Sequence, residues 1–391
     1  MRLGIVSDEF FEPSLGAMGG FGWAAAQVAR LFAASPQLGV EVVFLAADEL
    51  ATNGAALTVH GTPLVPWEPS LEEHQRRLDA ERVDLLLAID YRRGYRRVFD
   101  AFPDAPVVVW VRDPRVIADR LAVMGLRMPG GRWRVPPSGA RSRPTRSLGS
   151  LVWERRRRSQ PVLFAATAPY LAEKLQGAYA VRTSDVAHLP NPLHAGDAGR
   201  APAADDAPPL VLFLGRLNPV KRPWVFVELA RAFPAAEFVV AGGFYDRRGT
   251  PDWMATAPPN LSWVGHVDGE AKQRLLSRAA VLVNTSIHEG LAVSLLEALA
   301  SETALLGCQD PDGLVSRFGV YVGRHPGDGL GALPALTAGL ARLLDDPVRR
   351  RELARDGRAW VEAHHSRDAF LCAFGELCAR AGLAPEWSTF V

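Results

Sequence analysis

Apolar and polar positions along the chain follow a repeating order: a short apolar run, a polar or glycine-rich turn, then a stretch with apolar residues at helical spacing. Residues 2–7 (RLGIVS) form the first run, FFEPSLGAMGGFG the loop after it, and WAAAQVARLFAA the helical stretch. Further apolar runs follow at 40–46 (VEVVFLA), 83–90 (VDLLLAID) and 105–111 (APVVVWV). Unbroken runs of this length suit strands buried on both faces, and their alternation with helices predicts a parallel α/β sheet. Such sheets receive ligands beyond the carboxyl ends of their strands, where Asp8, Asp90 and Asp113 stand.

The periodicity fades after residue 112 and returns at 161–175 (PVLFAATAPYLAEKL). Residues 189–209, rich in Pro, Ala, Gly and Asp, read as a linker. The order then restarts. Strands are expected at 209–215, in EFVVAGG and LSWVGHV, at 280–286 and at 303–308, with helices in PWVFVELARAF, EAKQRLLSRA and LAVSLLEALA (291–300). Helices dominate from Leu333 to Gly382. The expected division is a first α/β domain at 1–190 and a second at 191–365, with a helical tail at 366–391.

Composition narrows the picture. The chain has 391 residues, 48% hydrophobic and 22% charged, enough for two packed cores and unlike a disordered chain. Three scattered cysteines (Cys308, Cys372 and Cys378) make neither a disulfide framework nor a zinc site. The start MRLGIVSDEF predicts no secretory signal, and no apolar stretch reaches the roughly 18 residues needed to span a bilayer. A cytoplasmic location is expected. The net charge of +1 hides a strong polarity: residues 112–158 hold 13 arginines against Asp113, Asp119 and Glu154, a net of +10 that leaves −9 elsewhere. This segment, which ends in ERRRR with Arg155 and Arg156, suits an anionic membrane surface on the inner face or a phosphorylated ligand. A solvated loop is the alternative reading. Aromatic interleaving is limited to Trp133, so nucleic acid is not an expected partner. Of the 44 basic residues only Lys174, Lys221 and Lys272 are lysines.

Two motifs carry chemistry. In SIHEGLAVSLLEALA (286–300), Glu289 sits in a loop after a strand and Glu297 lies eight residues on, inside the following helix. Gly290 permits a tight loop, and the amides of Leu291, Ala292, Val293 and Ser294 are the unpaired donors of a helix N-terminus, a ready site for a diphosphate. In GRLNPVKRP (215–223), Arg216 offers a bidentate fork and Lys221 a point charge for phosphoryl oxygens. His288 directly precedes Glu289 and either faces the same pocket or is an ordinary loop histidine, and the carboxylates of Asp8 and Glu9, which flank the first loop, suit ligand hydroxyls.

In these motifs and their order over residues 185–325, the second half resembles the donor domain of retaining GT-B glycosyltransferases, closest to glycosyltransferase family 4. The shared elements are G-R…K-R, V-G-x-V at Val264–Val267, E-G with a Glu-x7-Glu spacing, and L-P-N-P at Leu189–Pro192. The resemblance implies two Rossmann-like domains facing across a cleft, the first binding the acceptor and the second the nucleotide sugar, with the last helices crossing back to the first domain. It implies transfer of a sugar from a nucleotide-diphosphate sugar such as a UDP- or GDP-sugar to a glycan, lipid-linked or small-molecule hydroxyl, with retention. Arg216 and Lys221 would bind the diphosphate, Glu297 the ribose hydroxyls and Glu289 the donor sugar. Backbone at His266 and Val267 would meet the base, amides at Leu291 to Val293 the phosphate or sugar, and Gly19 and Gly20 the diphosphate. The family's first-domain catalytic histidine is replaced here by Arg112 and Asp113 after VVVWV, with Asp113 the candidate acceptor base or positioner. No Asp-x-Asp site stands out, so no metal is expected. A sugar-nucleotide epimerase, a phosphorylase and a non-catalytic binding protein remain the alternatives.

Overall fold

A computed structural model describes residues 1–12, 15, 19–48, 57–68, 70–92, 94–129, 145–160, 162–193, 207–243 and 252–384. The chain divides into two compact units. The first comprises Met1–Val116, Pro137–Leu193 and His365–Val391, the second Ile117–Pro136 and His194–His364.

The elements begin with β1 (Arg2–Ser7), α1 (Gly20–Ala33), β2 (Glu41–Ala46), β3 (Leu57–Val59), β4 (Thr62–Val65) and α2 (Leu71–Asp79). Then come β5 (Leu85–Ile89), α3 (Tyr95–Ala101), β6 (Val107–Val111), α4 (Ile117–Met124), α5 (Thr145–Arg157), β7 (Val162–Ala166), α6 (Pro169–Tyr179) and β8 (Val186–His188). The eight strands form one sheet in the order β3-β4-β2-β1-β5-β6-β7-β8, parallel throughout except for the β3–β4 hairpin. Every residue of β5 and β6 is buried, as expected for strands covered on both faces. The hairpin escaped the sequence reading because LTV and TPLV are too short to show a period.

The second unit contains β9 (Leu210–Leu214), α7 (Pro223–Arg231), β10 (Glu237–Ala241), α8 (Asp252–Ala255), β11 (Leu261–Gly265), α9 (Gly269–Arg278) and β12 (Ala279–Asn284). It continues with α10 (Val293–Ala300), β13 (Ala304–Gly307), α11 (Leu314–Arg317), β14 (Gly319–Tyr321), α12 (Leu333–Asp345) and α13 (Pro347–His364). Its parallel sheet runs β11-β10-β9-β12-β13-β14. The last helix, α14 (Arg367–Arg380), belongs to the first unit, where Phe370 and Phe374 pack on Trp110 and Phe32.

One segment departs from the sequence reading. Residues 117–129 precede α5 and β7 of the first unit, yet Val123 and Leu126 are buried in the second unit's core with Phe226, Phe238 and Leu306. Because the apolar period fades here, the sequence gives no sign of this seat.

Candidate active site in the second unit

The strand order of the second sheet reverses between β9 and β12, the usual place for a ligand crevice in an open α/β sheet. Val211 and Leu212 of β9 pair with Val281 and Leu282 of β12, so the loops leaving these strands are neighbours. That adjacency brings Lys221 to Glu289 across 68 residues of sequence, with Lys221 Nζ 2.6 Å from Glu289 Oε1. The turn before Lys221 is fixed by Asn218, whose side chain accepts from the Lys221 amide at 3.1 Å. At the same end of β9, a Cβ on Gly242, just past β10, would stand 1.9 Å from the Gly215 carbonyl oxygen, so only glycine fits there.

Glu289 is held by three donors that converge on one oxygen. Besides Lys221, Ser286 Oγ donates to Oε1 at 2.5 Å and Asn284 Nδ2 at 3.0 Å. Burial alone would raise the pKa of this carboxyl; the Lys221 charge and these hydrogen bonds outweigh it and hold the group below its ordinary value. Glu289 is therefore a fixed anion at neutral pH. Eight residues on, Glu297 lies within α10 as expected, and Lys272 Nζ of α9 donates to its Oε1 at 2.7 Å. Two of the three lysines thus face the two glutamates of the Glu-x7-Glu spacing.

Between the glutamates, Gly290, Leu291 and Ala292 lead into α10, which starts at Val293 with neither a side-chain cap nor an acid in its first turn. A helix N-terminus of this kind attracts negative charge. His288 is buried, its Nδ1 3.4 Å from Oδ1 of the buried Asp119 on α4. His266 lies just beyond β11, more than a third exposed, followed by Val267 in the turn to α9. Arg216 follows β9 by two residues and is half-buried.

The sequence missed a residue that shapes this site. Arg222 is wholly buried and donates to the carbonyl oxygens of Thr285 (2.7 Å), Ser286 (2.9 Å) and His325 (2.6 Å). Its backbone is left-handed at φ 47°, a strained state for a non-glycine that these bonds hold in place. Gly329 makes room, since a Cβ there would come within 2.5 Å of the guanidinium. Arg222 therefore aims the loop that carries Glu289. The only sequence cue was an arginine between Lys221 and Pro223.

In the first unit, Gly19 is the extended N-cap of α1 and Gly20 its first residue. The next two amides, of Phe21 and Gly22, donate to Glu9 Oε1 at 3.0 and 3.1 Å. Asp8 follows β1 and is ion-paired to Arg92. Asp113 follows β6, its amide donating to Asp90 and its carboxylate paired with Arg115 at 2.8 Å. Two of the arginines expected at an acceptor or a membrane are buried, which goes against the membrane alternative for them. Arg155 is buried, its guanidinium donating to the carbonyls of Phe99, Phe102 and Ala105. Arg112 is buried with its Cζ 4.6 Å over the Trp110 ring. Burial pulls the Arg112 pKa down to about 9, against the opposing pull of Asp90 and Glu9. Neither presents charge to a membrane. Arg156 is exposed, and residues 130–144 of the basic segment lie outside the described residues.

Residues 198–360 match the family described as glycosyl transferases group 1. No curated protein matches the chain by sequence. Among solved structures, a sucrose-phosphate synthase from Thermosynechococcus elongatus superposes with a TM-score of 0.70 at 16% identity, over 97% of this chain and 98% of that one. Anabaena HepE in complex with UDP-glucose gives 0.64 at 14% identity, over 97% and 100%. WaaG, a glycosyltransferase of lipopolysaccharide biosynthesis, gives 0.63 at 13% identity, over 96% and 99%. These likenesses establish the GT-B fold. With a glycosyl transferases group 1 domain spanning most of its second unit, the chain is a glycosyltransferase.

Proposed function

We propose that this glycosyltransferase moves a hexose from a nucleoside-diphosphate sugar to an acceptor hydroxyl with retention at the anomeric carbon. In this reading the bond from that carbon to the diphosphate oxygen breaks while a bond to the acceptor oxygen forms on the same face. The acceptor's proton leaves to the released diphosphate. The observation that carries the reading is the Lys221–Glu289 couple beside the uncapped start of α10. All three donors to Glu289 meet at Oε1, so Oε2 is left to accept hydroxyls of the donor sugar. Lys221, Arg216 and the α10 amides stand for the charge that grows on the diphosphate. With these groups supplying positive charge, the reaction requires no metal. Glu297, steadied by Lys272, takes the ribose hydroxyls. The UDP-glucose bound by the structurally similar HepE makes a UDP-sugar the first donor to test.

The enzyme works at an anionic membrane face in this reading. No helix among the described residues is long and apolar enough to cross a membrane. Helix α4 instead displays Ile117, Leu121 and Met124, at least 61% exposed and one turn apart, near Arg120 and Arg127.

Calorimetric titration with UDP, GDP, ADP and TDP, repeated on Glu297→Ala, tests the donor assignment. One diphosphate should bind, and binding should weaken at least tenfold in the variant. Equal binding by both proteins refutes the assignment of Glu297.

A further inference from the structure

A cleft of about 580 Å³ opens in the first unit beyond the carboxyl ends of β1, β2 and β4, against the start of α3. It lies beside the reversal of strand order between β1 and β5, where an open parallel sheet receives ligands, and its volume suits one small molecule. The cleft has a backbone floor: a Cβ on Gly94 would sit 2.6 Å from the Ala47 carbonyl oxygen, so the approach to α3 packs directly on the end of β2.

Three guanidinium groups line this cleft, and their commitments differ. Arg92 is paired with Asp8; Arg96 is paired with Asp100 and Glu154 and donates to Ser150 Oγ at 2.7 Å. Arg97 has no such partner. Its Cζ lies 4.4 Å from the centroid of the Trp67 ring, its Nε is buried without a hydrogen bond, and its guanidinium donates to no described residue. On the same indole, the His74 ring lies 4.8 Å away, and burial, reinforced by the Arg97 charge, lowers its pKa to about 4. This neighbour is neutral near pH 7, so it neither cancels the Arg97 charge nor competes for an anion.

The indole supports the guanidinium over its face without engaging its N–H groups. A planar fork held this way matches the paired oxygens of a carboxylate or a phosphate. The carboxylates in the same cleft, Asp8 and Asp48, accept hydrogen bonds and suit hydroxyls. Fork and acceptors together describe a polyol that carries an acid.

We propose that this cleft receives the acceptor of the transfer reaction and that the acceptor is a sugar bearing a phosphate or a carboxylate, its acid on Arg97 and a hydroxyl on Asp48. The assignment of the ligand as acceptor rests on the transferase reading above; the anion site does not. The test is calorimetric titration of the full chain with glucose 6-phosphate, glucuronate, glucose and inorganic phosphate, with UDP titrated into each preparation. At least one acidic sugar should bind tenfold or more tighter than both glucose and inorganic phosphate, and the better of the two identifies the acid. Arg97→Gln should abolish that preference and leave UDP affinity within twofold. Arg97→Lys, which keeps the charge but not the fork, should reduce the preference at least threefold and serves where the glutamine variant does not fold. Equal binding of acidic and neutral sugars, phosphate binding as tightly as the acidic sugar, or a preference that survives both substitutions overturns the proposal. Acidic-sugar preference in a protein that binds no nucleoside diphosphate would instead sink the donor reading and leave the cleft assignment standing.

Discussion

Replacing Lys221 with methionine removes the cation from Glu289 while keeping most of the side chain's apolar volume. Breaking a buried ion pair by deleting one partner costs about 3–5 kcal/mol, because the remaining charge has lost its compensation. Here the Lys221 side chain is 22% exposed and Glu289 keeps its bonds from Ser286 and Asn284, so we expect about 2–3 kcal/mol. In a unit of this size that lowers Tm by about 4–12 °C. The loss should depend on pH. In the native protein the Glu289 pKa is depressed, so its contribution to stability is present above the ordinary carboxyl range and is lost as pH falls through the lowered value. Without Lys221, burial pushes the same pKa up, and protonation relieves the penalty as pH falls from 7 towards 4.5. The gap between the two melting curves should therefore narrow in acid. Activity separates the structural role from the chemical one: kcat should fall about 10²–10³-fold, the usual effect of removing a preorganised electrostatic stabiliser. Lys221→Met combined with Glu289→Gln should regain most of the lost stability and none of the activity. A pH-independent gap, an effect confined to donor KM, or a double variant that recovers turnover would refute this account.

Three further outcomes are expected. Arg222→Met strands three buried carbonyls and should cost about 3–5 kcal/mol in chemical denaturation, whereas Arg231→Met, a surface substitution, should cost under about 0.5 kcal/mol. Asp119→Ala removes the partner of His288, the residue before Glu289, and should lower kcat about tenfold, equivalent to about 1.4 kcal/mol of barrier; native steady-state kinetics would show that the pair is structural only. The lowered His74 pKa means that its imidazole is stabilised in the neutral form, so the contribution is full above pH 6.5 and is lost as pH falls towards 4. Denaturant midpoints at pH 7 and pH 5 should differ less in His74→Gln than in the native chain.

Much of the fold was legible because strands buried on both faces announce themselves as unbroken apolar runs. β1, β5, β6 and β9 fall within the expected stretches, and β12 begins one residue before its own. The glutamates were legible too, since a strand, a glycine loop and a helix leave little choice of position for Glu289 and Glu297. What could not be read was pairing at long range. Which cation meets which carboxylate depends on strand order, and Lys272 with Glu297 or Asp119 with His288 has no local signature. Burial of arginine was equally hidden. Arg155 follows Glu154 and precedes three more arginines, and only the fold turns it alone inward onto the carbonyls at the end of α3. Arg97 stacks on Trp67 across 30 residues, a meeting set by strand order rather than by any local pattern.

The seat of residues 117–129 in the second unit has a consequence for how the gene can be cut. The polypeptide passes from one unit to the other after residues 116, 136, 193 and 364, so no single break yields two self-sufficient fragments. A cassette of 194–364 would keep Lys221, Lys272, Glu289 and Glu297 but leave the places of Val123 and Leu126 open, forgoing roughly 3–6 kcal/mol of burial. It would also leave His288 without Asp119. Chimaeras that exchange the second unit between relatives must therefore carry this short helical passenger with them, or supply it as a separate peptide in trans. The natural unit of recombination is thus discontinuous in the gene, although compact in space.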